Sequence, residues 1–119
     1  MPAKNSFICL AIAALLFGSR SALCAESVDV KYRGAVDLKP FDCSEISRSS
    51  FITRVCYDPS KQYMLIRLNQ TYYHYCELPL AVLKEFMAAP SMGTFYNQRI
   101  KGSGKDGPFD CRTHKVPVY

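Results

Sequence analysis

The chain has 119 residues, of which 49% are hydrophobic, with 15 Lys and Arg against 10 Asp and Glu and a net charge of +5. That length excludes more than one ordinary domain. The basic excess is small and dispersed, so it permits an anionic partner without demanding one.

Residues 1–25 read as a secretory signal peptide. Lys4 supplies the positive start, and Phe7 to Phe17 is an unbroken apolar run of 11 residues. A polar Gly18-Ser19-Arg20-Ser21 break then precedes Ala22-Leu23-Cys24-Ala25. A stable membrane span needs about 20 apolar residues, so this run is too short for one. Cleavage after Ala25 is the first choice and cleavage after Cys24 the second; Leu23 sits where a lipoprotein would carry a small residue. The expected location is periplasmic or secreted. The remaining chain starts at Glu26 and carries 13 Lys and Arg against 10 acids.

Removal of the leader leaves Cys43, Cys56, Cys76 and Cys111. An even count in a small exported chain reads as two disulfides with three possible pairings. The absence of a Cys-x-x-Cys motif and of clustered histidines argues against a zinc site, and no cofactor is implied.

Residues 26–42 form an N-terminal arm. It alternates weakly, as in Val28-Asp29-Val30-Lys31-Tyr32, and its narrow apolar face predicts loose packing. The compact part spans 43–111. Ser44 to Ser50 is polar and reads as a turn or loop. Phe51 to Tyr57 is a strand rich in β-branched and aromatic residues. Asp58-Pro59-Ser60-Lys61 turns the chain, with Asp58 accepting from the backbone two residues on. Tyr63 to Leu68 is the second strand, Asn69-Gln70 the next turn, and Tyr72 to Leu78 the third strand. Pro79 suits a first helical turn. Leu80, Leu83, Phe86 and Met87 recur at helical spacing and form one apolar face. Pro90 ends that helix, Ser91 caps a second short one, and Phe95, Tyr96 and Ile100 are its inward residues. Gly102 to Pro108 is a loop, and 112–119 is a tail. The predicted fold class is α+β: a three-stranded antiparallel meander followed by two short helices, stapled by disulfides.

Phe41-Asp42-Cys43 is echoed by Phe109-Asp110-Cys111. The echo brackets the unit and favours a Cys43–Cys111 bridge that clips its ends together. Cys56 and Cys76 are then left at the same edge of the meander. With the second strand between them they stand about 10 Å apart, twice the strand spacing, whereas a disulfide needs Cα atoms within roughly 7 Å. A Cys56–Cys76 bridge therefore requires a strongly coiled sheet or neighbouring first and third strands; it is the expected second disulfide beside Cys43–Cys111.

Residues 49–101 resemble the KTSC domain, a small module also found at the C-terminus of some lysyl-tRNA synthetases and as a stand-alone bacterial protein. The resemblance is carried by Ser49-Ser50, Tyr57-Asp58, Tyr73-His74-Tyr75, Leu78-Pro79, and by Ala89, Ser91, Gly93, Asn97 and Ile100. The chain departs from the family at Asn69-Gln70-Thr71, where a glycine is usual; a longer connection is expected there. The leader, the cysteines and the tail suit an exported version. The resemblance implies a fold and brings no established activity, although RNA binding has been suggested for the family.

Alternation puts Tyr73 and Tyr75 on one face of the third strand and Tyr72, His74 and Cys76 on the other. Exposed, the two tyrosines would be a stacking platform for single-stranded nucleic acid, with Arg54, Arg67, Arg99 and Lys101 as phosphate contacts and Asn97 as a further surface contact. Buried, they pack under the helices with their hydroxyls at the rim. His74 and His114 are the chain's histidines, and Asp58 or Glu77 would be the group to orient one as an acid/base. No catalytic motif surrounds either. Ser91-x-Gly93 reads as an anion-binding helix start or as a cap with a close backbone approach. The function expected is a non-enzymatic binding or interaction module with an envelope or extracellular partner. Single-stranded RNA binding through Tyr73 and Tyr75 is the first alternative, and a small hydrolase using His74 the second.

Overall fold

The computed structural model describes residues 26–102 and 107–119. The expected leader and its cleavage site lie outside the described residues, as do residues 103–106 of the Gly102–Pro108 loop.

The strands are β1 (Ser27–Val30), β2 (Gly34–Asp37), β3 (Asp42–Glu45), β4 (Ile52–Asp58), β5 (Tyr63–Leu68) and β6 (Thr71–Tyr75). They form one mixed sheet in the order β2-β1-β6-β5-β4-β3. Adjacent strands run antiparallel, except that β1 lies parallel to β6 through the Val30–Tyr72 pair. Helix α1 (Leu80–Ala88) follows, then a short α2 (Met92–Phe95) that runs on as a π-helical turn over Tyr96–Ile100.

This corrects the three-stranded α+β meander. The meander is present as β4-β5-β6, but it is only the middle of a six-stranded, mostly β fold. The reason is that both of its faces are apolar. One face buries Ile52, Val55, Tyr57, Met64 and Ile66 against Leu78, Phe86, Met92, Tyr96 and Ile100. The other presents Cys56, Tyr63, Leu65, Tyr72 and Cys76, which need cover of their own. The supposedly loose arm supplies it: Val30, Val36, Leu38 and Phe41 are all at most 8% exposed. Part of the polar stretch expected to be a loop is strand β3, paired along β4.

Local details follow the sequence more closely. Asp58 closes its turn by accepting from Ser60 N–H at 3.0 Å and Ser60 Oγ at 2.8 Å. Ser91 caps α2 by accepting from Thr94 N–H at 3.1 Å. A Cβ on Gly93 would stand 2.7 Å from the Phe51 ring, so a close approach explains that glycine. Pro79 is the N-cap of α1 with φ −67°, one position earlier than expected. On α1, Phe86 is fully buried while Leu80 is 45% exposed, so the apolar face is narrower than its spacing suggests. The expected longer connection between β5 and β6 is a two-residue one: Leu68 pairs with Thr71, and Asn69 takes φ +56°, a conformation asparagine tolerates.

The disulfides are Cys43–Cys56 and Cys76–Cys111, which corrects the Cys43–Cys111 and Cys56–Cys76 pairing. The unforeseen β3 places Cys43 directly opposite Cys56. Strand β5 separates β4 from β6 and keeps Cys56 from Cys76. Cys76 instead donates its N–H to Phe109 O at 2.9 Å, which brings Cys111 alongside.

Candidate functional site at the outer edge of β6

Among the described residues, the outer edge of β6 is covered at its two ends and open between them. Lys31 N–H bonds Tyr72 O at 2.8 Å at one end, and Cys76 N–H bonds Phe109 O at 2.9 Å at the other. Strand alternation turns the N–H and C=O of His74, midway between, outward into the gap. The gap is the mouth of a cavity of about 580 Å³. Tyr73, His74 and Tyr75 line it from β6, Ile100 and Lys101 from the π-helical turn, Tyr32 from the β1–β2 turn, and Asp110, Cys111 and Arg112 from the tail.

Tyr32 stands out at the rim. It occupies the third position of the turn closed by Arg33 N–H to Val30 O, with φ +71°, and is 84% exposed. A bulky residue at positive φ is strained by roughly 1 kcal/mol or more, and such strain concentrates at functional positions.

His74 is fixed from the second face. Its Nδ1 lies 2.8 Å from the Tyr63 hydroxyl, and Arg33 Nη1 donates to that same hydroxyl at 2.9 Å. Arg33 Nη2 donates to Pro117 O, and its guanidinium lies over the Tyr63 and Tyr119 rings. Burial, reinforced by the Arg33 charge, pushes the His74 pKa down and holds the ring neutral near pH 7. The hydroxyl that orients it is a tyrosine's, not a carboxylate. Glu77 contacts His114 at 2.7 Å instead, and Asp58 accepts from the Tyr119 hydroxyl at 2.6 Å. Among the described residues, the hydrogen-bond partner of the His74 ring is Tyr63.

The remaining expected residues scatter. Tyr73 and Tyr75 are half-buried and pack on the helix-side core; the Tyr75 hydroxyl meets the Tyr96 hydroxyl at 2.5 Å with the rings edge to face. Arg54 lies on the second face, paired with Glu26 at 2.8 Å and Glu45 at 2.7 Å, and Arg67 pairs with Glu45 at 3.0 Å. Arg99 pairs with Glu85 at 3.0 Å and lies over the Phe95 ring. Asn97 is exposed and lines a separate shallow cleft with Arg48 and Gly93. Only Tyr73, His74, Tyr75 and Lys101 meet at one place. Tyr32, Arg33, Tyr63, Asp110 and Arg112 were missed by sequence reasoning. The Phe-Asp-Cys echo was the available signal for the tail, and nothing in the local pattern marks Tyr32.

Comparison with known proteins bears on the middle of the chain. The profile of the KTSC domain matches residues 48–103. A KTSC domain protein of Yersinia pestis, known from a crystal structure, is 33% identical over 53% of this chain and 89% of its own, with a TM-score of 0.49. No curated protein matches the chain. The chain belongs to the KTSC domain family. The match runs from just before β4 to the loop after the π-helical turn. Strands β1 to β3 and the tail lie outside it, so the cavity sits where these additions meet the family domain.

Proposed function

We propose that this KTSC domain protein is a non-enzymatic binding module, acting in the cell envelope or outside the cell, that takes an extended peptide segment along the open edge of β6. The observation that carries this reading is the gap between the Lys31–Tyr72 and Phe109–Cys76 hydrogen bonds. It leaves the His74 backbone pair facing a cavity walled by Tyr32, Tyr73 and Tyr75. Between Tyr72 and Cys76 lie three residues, a rise of roughly 13 Å from end to end, room for a strand of no more than about three residues. Addition of a strand to a sheet edge gives affinity through main-chain bonds and specificity through side-chain pockets. Lys101 on the rim favours a neutral or acidic segment. Two disulfides suit an oxidising compartment.

Open stacking of bases is less well supported, because Tyr75 spends its hydroxyl on Tyr96 within the helix-side packing. The test is selection of peptides from a displayed library on the oxidised protein, followed by NMR titration of the selected peptide. The expected result is amide shifts confined to Tyr73–Tyr75, Lys31–Arg33 and Phe109–Arg112. Salt-dependent binding of labelled single-stranded RNA with no peptide selected would overturn it.

A further inference from the structure

Beyond peptide binding, the fold brings together three potential metal ligands that the sequence keeps apart. His74 and Cys76 are two residues apart on one face of the same chain segment, and the tail folds Cys111 against them. The His74 ring nitrogen and the two sulfurs all lie within 4.8 Å of one another. Ligands held at 2.0–2.3 Å on a tetrahedral ion are separated by about 3.5 Å, so modest side-chain rotation closes the set. In the oxidised protein the two sulfurs are bonded to each other and the set is not available.

We propose that the reduced protein binds one zinc-class divalent ion through His74, Cys76 and Cys111. The chemistry balances in two steps. A dithiol reductant passes two electrons and two protons to the Cys76–Cys111 disulfide and becomes a disulfide itself. The two thiols then release two protons as both sulfurs bind the ion, leaving a neutral thiolate–metal unit. A neutral His74 ring completes the set through one ring nitrogen. The Tyr63 hydroxyl lies 2.8 Å from Nδ1, so the tautomer that binds metal through Nε2 is the one with its proton on Nδ1, donated to Tyr63, an orienting contact of the kind metal-bound histidines make. Cys76 is wholly buried, whereas His74 and Cys111 both line the cavity, so the fourth position faces the cavity. A nascent exported chain offers the same three ligands before its disulfide forms, which makes metal capture and oxidation competing fates of one cysteine pair.

The experiment treats the full chain, lacking only its leader, with a phosphine reductant and titrates it with Co(II) and then Zn(II) against a chromophoric chelator. The expected result is one Co(II) per chain with thiolate-to-cobalt charge-transfer absorption, displaced by Zn(II), and at least hundredfold weaker binding by the oxidised protein. Cys43→Ser with Cys56→Ser keeps the site, Cys76→Ser abolishes it, and His74→Ala weakens it at least tenfold. Reduction that unfolds the chain, with zinc restoring native circular dichroism, supports the site as well. The proposal is overturned if the reduced protein shows no stoichiometric binding, if it binds while remaining unfolded, or if His74→Ala binds as tightly as the parent. Peptide binding is measured on the oxidised, metal-free protein, so failure of either idea leaves the other standing.

Discussion

Cys43 and Cys56 face each other across the β3–β4 ladder with Cα atoms 3.9 Å apart, and their disulfide ties a strand outside the family match to one inside it. Cys76 and Cys111 do the same for the tail. Each bridge therefore fastens an addition onto the family domain, and together the additions cover the face that α1 and α2 leave open.

The bridges close 13 and 35 residues of chain. Loop entropy predicts that removing Cys43–Cys56 by paired serine substitutions costs about 3 kcal/mol, and removing Cys76–Cys111 about 4 kcal/mol. Guanidinium unfolding of the two double variants checks the order. Non-reducing peptide mapping checks the pairing, and a Cys43–Cys111 crosslink would refute it.

Tyr32 takes a positive φ of 71° while 84% exposed at the cavity rim. Tyr32→Gly relieves its positive φ and is expected to leave stability unchanged or raise it by up to about 1 kcal/mol. The same substitution is expected to weaken peptide binding at least tenfold. Thermal unfolding and a binding titration on one preparation read both effects, and a parallel loss of stability and binding would contradict this.

The Tyr119 hydroxyl anchors the end of the tail on Asp58. Burial of Asp58 opposes its ionisation, yet the hydrogen bonds from Tyr119, from the Ser60 side chain and backbone and from Lys61 outweigh it and hold the carboxyl below its ordinary range. A depressed folded pKa means that the stabilisation is complete above the unfolded value of about 4 and is lost as pH falls through the lower folded value. Tyr119→Phe is expected to cost about 1 kcal/mol at pH 7, at the low end for a bond to a charged group because Tyr119 is half exposed. It should also flatten the loss of stability below pH ~4. Urea unfolding at a series of pH values tests both parts.

The Tyr75–Tyr96 hydroxyl pair is a packing device. Burial, then the bond to Tyr96, drives the Tyr75 phenol well above its ordinary range, so it stays protonated. Tyr75→Phe keeps the ring and leaves the Tyr96 hydroxyl, on a residue only 3% exposed, without this partner, at a cost of about 1–2 kcal/mol. A double-mutant cycle with Tyr96→Phe should recover part of that loss.

Several elements were legible without the fold. The β4–β5–β6 meander declared itself through β-branched and aromatic runs bounded by turn residues. Asp58 and Ser91 declared their roles because turn and cap chemistry acts over two or three residues. The arm was misread because four-residue strands carry too little periodicity to show a face. A clue was nonetheless present: Tyr72 to Cys76 is apolar or aromatic on both sides of the strand, and a strand so built needs cover on both faces. Of the site, Tyr73, Tyr75 and Lys101 were legible as a stacking platform with a phosphate contact and His74 as a candidate acid/base on the opposite face, none of them as a cavity wall.

What the sequence determined by itself is local: the central strands, the helix starts and stops, and the ordered residues that mark the KTSC domain. Periodicity and capping are written within a few neighbouring positions, so they survive reading in one dimension. The tertiary structure alone decided which cysteines bond, that β1 runs parallel beside β6, and that Tyr32, His74 and Cys111 meet at one edge. Those outcomes depend on pairings between segments well separated in sequence, 13 residues for Cys43–Cys56 and 35 for Cys76–Cys111, with Val30 beside Tyr72. The energies that select them come from burying a second face, a quantity that no short window of sequence contains.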